Sequence, residues 1–297
     1  MNLYHNDYIK FRHNGVQYAV LVQRDDSPVD PRIDWDWNLD FMICFHSRYA
    51  LGDRNDYKDP EVFWRELVRE NVPTEKITEA ACNGELYSIR IEPYRDDDNT
   101  VDVYEHYALR TILGNSEPSE VLEYEGISRD SIADYILDDL TIKHCQQLLK
   151  NHIVWLPLYL LDHSGLSIST GSFGDPWDSG QVGWIYMTRE TFLAETGWGE
   201  QLWPDKAIEM MQGSVKTYDQ YLTGDVYGFT VYENTGTEEN PSWDETDNAC
   251  WGFYGSDIKE NGIADNVPGL LAAIESGAYE TGAATEHRVT TITCDFD

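Results

Sequence analysis

Tyr8-Ile9-Lys10-Phe11-Arg12-His13-Asn14-Gly15-Val16-Gln17-Tyr18-Ala19-Val20-Leu21-Val22 is the stretch on which the fold class turns. Two runs rich in β-branched and aromatic residues flank Asn14-Gly15, a pair that readily supplies the two left-handed residues of a type I′ turn. The reading is strand, turn, strand, at Tyr8 to Phe11 and Val16 to Val22.

Working outward from the hairpin, Asp25 to Asp36, with Pro28 and Pro31, is turn-rich, and the apolar run Leu39 to Phe45 predicts a buried strand. After the start signal Asp59-Pro60, Glu61 to Glu70 has helical periodicity, with Val62, Phe63, Leu67 and Val68 on a shared face. A short helix is expected over Thr74 to Ala81. Leu86 to Glu92 and Val101 to Leu113 look extended on either side of the charged turn Arg95 to Asn99, and the second is equally compatible with helix. Helices follow at Ser128 to Leu137 and Thr141 to Leu149, with Ser128 and Thr141 as N-caps.

Ile153 to Thr170 and Gln181 to Thr188 suggest a central hairpin around the loop Gly171 to Gly180. Pro204 to Tyr221 carries Ile208, Met211, Val215 and Tyr218 at helical spacing, and Gly224 punctuates its end. Strands are expected at Val226 to Tyr232, Ala249 to Tyr254 and His287 to Cys294, with a helix near Pro268 to Ser276. This mixed order predicts an α+β fold: a mixed, mainly antiparallel sheet with several helices and an N-terminal β-hairpin. The softest joints are the acidic turn near Asp96 and the loop Glu233 to Asp247. A weak boundary at 95–96 would separate an N-terminal α+β region, 1–95, from a main α+β region, 96–297, although one continuous domain fits equally well.

Over 297 residues, 54 Asp and Glu stand against 21 Lys and Arg, a formal charge of -33 dispersed from end to end. A compact chain of this length has a radius of gyration of roughly 19 Å, and about 50 Å of B-DNA carries on the order of 30 phosphate charges. The field is DNA-like in magnitude. It attracts basic surfaces and repels nucleic acid and anionic membrane, so direct nucleic-acid or membrane binding is not expected. Solubility alone is the plainer explanation of the same acidity. The N-terminus lacks the basic and apolar regions of a signal peptide, and the apolar run Ile153 to Leu161 is interrupted by Pro157 and too short to span a bilayer. The chain therefore reads as soluble and intracellular. Cys44, Cys82, Cys145, Cys250 and Cys294 show no C-x-x-C pair, which favours buried thiols over metal clustering and leaves a disulfide open.

Candidate chemistry gathers in Asp162-His163-Ser164-Gly165 and Asp175-Pro176-Trp177-Asp178-Ser179-Gly180. Adjacent residues of a strand point to alternating faces, so Asp162, His163 and Ser164 cannot form a triad with one another, and no G-x-S-x-G elbow occurs. Asp175 and Asp178 could hold a hard cation, but Asp and Ser beside Gly and Pro more simply serve their own turn. Phosphate-cradling glycine motifs are absent, and no cofactor is expected. Aromatics recur beside acids, as in Asp34-Trp35-Asp36-Trp37, Trp243-Asp244-Glu245 and Trp251-Gly252-Phe253-Tyr254. Such pairs suit a glycan or a basic protein partner, or simply packing. Trp35, Trp37, Asp175, Trp177, Asp178, Trp243, Asp244 and Glu245 are the residues expected to meet a partner.

Trp37-Asn38-Leu39, Phe45 to Asp53, Leu113 to Pro118, Leu156 to Tyr159, Asp162 to Gly165, Trp177 to Gly183, Tyr218 to Gly228 and Cys250 to Gly255 together resemble the phage anti-Gabija proteins, inhibitors of a bacterial nuclease and helicase-like defence complex. The resemblance implies a non-enzymatic, self-associating protein in the host bacterial cytoplasm that encloses the host complex and blocks DNA binding or cleavage. It transfers no catalytic residues. Two alternatives stand beside it: an acidic DNA-mimicking antirestriction protein with broader targets, and a hydrolase using Asp162, His163 or Asp178.

Overall fold

The computed structural model describes residues 1–2, 7–82, 89–93, 106–111, 127–128, 132–286 and 294–295. The chain divides into two units that are each discontinuous in sequence. One comprises Met1–Asn38, Leu158–Gln181 and Gln212–Asp297, and the other Leu39–Pro157 and Val182–Met211. The boundary expected at 95–96 falls outside the described residues.

In the first unit, β1 (Asp7–His13) and β2 (Val16–Arg24) form the expected hairpin, with His13 opposite Val16. Asn14 and Gly15 both have positive φ, 52° and 84°, as a type I′ turn requires. The hairpin lies within a five-stranded antiparallel sheet with β10 (Val226–Asn234), β11 (Trp243–Tyr254) and β12 (Tyr279–Ala283), in the order β11-β10-β2-β1-β12. Ala19 to Val22 and Val226 to Tyr232 are buried without alternation. The reason is that both faces of the sheet are covered. Ile9, Phe11, Val20, Val22 and Phe229 pack with α7 (Ile263–Asn266) and α8 (Leu270–Ser276), while Tyr8, Ala19, Leu21 and Tyr232 form a second cluster with Trp243. The loop expected over Glu233 to Asp247 is shorter, because β10 and β11 extend into it to form a hairpin. Asn234 Oδ1 accepts from the Gly236 and Ser242 N–H groups, which satisfies the turn internally.

In the second unit, α1 (Pro60–Asn71) begins at Asp59, whose carboxylate accepts from the Glu61 N–H at 2.7 Å. Its buried face is Phe63, Trp64, Leu67 and Val68. Val62, expected on that face, is 46% exposed. At 3.6 residues per turn it projects from the side opposite this stripe, and Trp64 takes its place. α2 spans Thr74–Cys82, as expected from the sequence. The extended segments appear as β4 (Ile89–Pro93) and β5 (His106–Thr111), an antiparallel pair joined by β6 (Ile127–Ser128). Ser128 is thus paired in a strand rather than capping a helix, and α3 starts later, at Ile132–Asp139. α4 (Ile142–Leu149) carries a capping box between Thr141 and His144. These helices enclose an apolar cluster of Ile43, Phe63, Trp64, Leu67, Ile136, Cys145 and Ile153.

A four-stranded sheet has the order β3-β9-β7-β8, with β3 at Phe41–Cys44, β7 at Ile153–Asp162, β8 at Leu166–Ser169 and β9 at Ser179–Thr188. At the two ends of the β7/β9 pair, Arg189 N–H donates to His152 O and Asp162 N–H to Asp178 O, each at 2.8 Å. α5 (Arg189–Thr196), which the sequence did not signal, is capped by Thr188 and stopped by Gly197 at φ 65°. α6 (Asp205–Thr223) buries Ala207, Met211, Val215 and Tyr218. β7, β9 and α6 each contribute residues to both units. Among the described residues no helix is long and apolar enough to cross a membrane. Cys145 is a buried free thiol and Cys250 an exposed one.

Gly183 lies opposite Cys44, and a Cβ there would stand 1.9 Å from the Ile43 carbonyl oxygen. Backbone cannot yield as a side-chain end can. Gly183→Ala is expected to destabilise the chain by about 1–3 kcal/mol through overpacking. The check is the urea midpoint, and an unchanged midpoint would contradict so close an approach of the two strands.

Candidate functional site

All eight residues expected to meet a partner belong to the first unit, where they fall into three clusters. The first is built on the turn before β9. Asp175 Oδ1 accepts from the N–H groups of Trp177 (2.8 Å) and Asp178 (3.1 Å), and the Ser179 hydroxyl donates to the Asp175 carbonyl. The Trp177 and then the Asp178 N–H hold the Asp175 carboxyl below the usual carboxylate range. With the backbone locked in this way, the Trp177 side chain projects into solvent and is 92% exposed.

Asp178 turns to His163, whose Nδ1 lies 2.7 Å from its Oδ2. This is the acid–imidazole half of a catalytic relay, but the Ser164 hydroxyl donates to the His163 carbonyl instead of approaching the ring. Ser164 has φ 53°, in the turn between β7 and β8. Among the described residues no group of three or more His, Cys, Asp or Glu side chains is placed to hold a metal ion.

The second cluster joins Trp35 and Trp37 to Tyr254, a partner more than two hundred positions away that the sequence did not single out as a site residue. The two indoles stack at 5.3 Å, and Tyr254 meets Trp35 edge-on at 5.3 Å. The turn beneath them is self-bonded: Arg32 N–H donates to Asp30 Oδ1 at 2.8 Å, and Asp30 N–H to Asp34 Oδ2 at 2.9 Å. Asn38 Nδ2 donates to Pro31 O. Trp37 is 68% exposed. Burial, and then Asp30, Asp25, Tyr221 and Asp34, push the Tyr254 phenol from its ordinary 10.0 to about 12. Burial and the same two carboxylates, Asp30 and Asp34, also raise Tyr221. Burial raises Asp30 itself, and Asp34 adds to the effect. Burial first, and nearby carboxylates second, thus act on the phenols of this aromatic surface. Beside it Trp35 and Tyr254 border a concavity of about 770 Å³, with Gln220, Asp225 and Glu260 among its polar walls.

This environment gives a pH-dependent expectation. A phenol whose folded pKa lies above its unfolded value stays protonated while the unfolded chain ionises, so its contribution to stability falls as pH climbs from about 10 to about 12. Tyr254→Phe should therefore lose less of its urea midpoint between about pH 9 and about pH 11 than the parent chain does. Equal declines would show that Tyr254 does not carry this shift.

The third cluster is on β11. Trp243 is half-buried against Tyr8 and Tyr232, with the Lys10 ammonium 5.7 Å from its ring centroid, while Asp244 and Glu245 are exposed. Asp244 accepts from the Thr235 hydroxyl at 3.1 Å. Trp243 is thus partly a packing residue. The exposed indole further along this strand is Trp251, at 48%. Interleaving of acids and aromatics is what drew attention to Trp35 and Trp37, whereas the approach of Tyr254 to them has no local signature. No family model, curated protein or solved structure matches this chain.

Proposed function

We propose that this chain is a non-enzymatic binding protein that engages a basic, DNA-handling surface of a host defence complex, and that the complex is the Gabija nuclease and helicase-like assembly named by the sequence resemblance. The observation that carries the reading is Trp177, 92% exposed on a turn locked by Asp175, with the Asp175 and Asp178 carboxylates beside it. An indole held out at this exposure has little to contribute to its own fold. Aromatic anchors flanked by charge are what a specific interface uses for affinity and register. The chain's -33 charge supplies long-range attraction toward a surface that has evolved to hold phosphates. Trp37, exposed beside Asp34 and Asp36, offers a second anchor of the same kind.

The test is capture of the purified Gabija complex by the tagged full chain, paired with plaque counts in a Gabija-positive host expressing it. Retention of the complex and rescue of phage growth are expected. Absence of both sinks the proposal. Inhibition of several unrelated DNA enzymes with equal strength would instead favour the broader DNA-mimic reading.

A further inference from the structure

We propose that a second cleft, in the unit comprising Leu39–Pro157 and Val182–Met211, binds a mononucleotide. In a chain with 21 basic against 54 acidic residues, two cations and two indoles converge on this one cavity of about 690 Å³. Lys150, Arg189, Trp155 and Trp203 line it, with Ile153 and Val154. The volume falls within the range of roughly 300–1,000 Å³ typical of small-molecule sites, and an apolar wall with a few polar groups is their usual make-up.

Both indoles are fixed from behind. Trp155 meets Trp64 edge-on at 5.4 Å, and Trp203 rests on Phe192 at 5.5 Å. Half-buried aromatic walls held in this way need little further ordering to receive a ligand, and every nucleobase has a π face with which to pack on an aromatic ring. The cations supply the other half of the recognition. Lys150 closes the C-terminal end of α4, is exposed, and has no ion-pair partner among the described residues. Arg189 is anchored by its N–H to His152 O, and its guanidinium meets Glu200 Oε1 at 2.7 Å. That contact engages only part of a five-donor fork, which leaves N–H groups for a phosphate oxygen.

Charge selects the size of the ligand. The field of the whole chain opposes an anion in proportion to the anion's charge, so a strand with many phosphates is repelled far more than a single nucleotide. No glycine-rich cradle is needed, because side-chain cations take the place of backbone N–H groups.

The experiment is calorimetric titration of the full chain with adenosine 5′-monophosphate, adenosine, inorganic phosphate and a short single-stranded oligonucleotide. Saturable binding of the monophosphate is expected, with adenosine and phosphate each weaker by about tenfold or more. Lys150→Gln, at an exposed position, should weaken the monophosphate by about tenfold while leaving the circular dichroism spectrum unchanged. The proposal is overturned by no saturable binding of the monophosphate, by equal binding of phosphate alone, by tighter binding of the oligonucleotide, or by an unaltered affinity in Lys150→Gln.

Discussion

Trp64→Ala is expected to lower the unfolding free energy by about 3–5 kcal/mol, the range for removing a large aromatic from a packed core. Trp64 is fully buried on the inner face of α1, and its neighbours are themselves aromatic. Phe63, Trp155 and Trp184 surround it at centroid separations of 5.7, 5.4 and 5.5 Å, all edge-to-face. Rings of this size cannot collapse into the void without leaving their own contacts, so little of the cavity is recovered by relaxation. One term runs the other way: the Trp64 Nε1 is buried and finds no hydrogen-bond partner among the described residues. Trp64→Phe deletes that N–H, whose burial costs about 1–3 kcal/mol, while keeping most of the apolar contact. The Phe variant should therefore be clearly more stable than the Ala variant. Urea transitions followed by circular dichroism measure both. An Ala variant within about 1 kcal/mol of the parent would mean that this aromatic cluster is not the centre of its unit.

The parts of the fold legible in the sequence are those whose causes are local. Asn14-Gly15 specifies its turn by backbone conformation alone, and Asp59-Pro60 and Thr141 mark helix starts through groups one to three residues away. The α+β class with its N-terminal hairpin followed from such signals. Ser128 shows their limit, because a residue suited to a helix cap was drawn instead into pairing with His106. Val62 shows another, since an apolar residue one position off a helical stripe reads as core in a list and as surface on a helix. Long-range assembly left no mark at all. The discontinuous units depend on which distant segments meet, and the contact of Tyr254 with Trp35 joins the last strand of a hairpin to a turn near the N-terminus. That indoles would stand exposed was partly legible, because acids beside Trp in a turn favour projection. Their degree of exposure was not: Trp177 and Trp243 look alike in sequence, yet one stands in solvent and the other is half-buried beneath Lys10.

The same contrast makes Trp177 the most informative position for function. Trp177→Ala is expected to weaken capture of the partner by about 30-fold or more, equivalent to about 2 kcal/mol or more, while changing stability by less than about 0.5 kcal/mol. Burying an indole removes roughly 150–250 Å² of surface from water, a gross gain of about 4–6 kcal/mol, of which ordering and desolvation at the interface offset a part. The ordering cost is small here, because Asp175 already fixes the turn through two backbone N–H groups. Asp175→Ala should consequently weaken binding too, although it leaves the indole in place. The two kinds of substitution separate in kinetics. Loss of the anchor raises the dissociation rate, whereas neutralising exposed acids such as Asp36 and Asp244 slows association, and added salt reproduces only the second effect. Surface plasmon resonance against the purified defence complex distinguishes them. If Trp177→Ala binds like the parent while salt abolishes capture, the chain acts through its field alone, and the shaped anchor is no part of the interface.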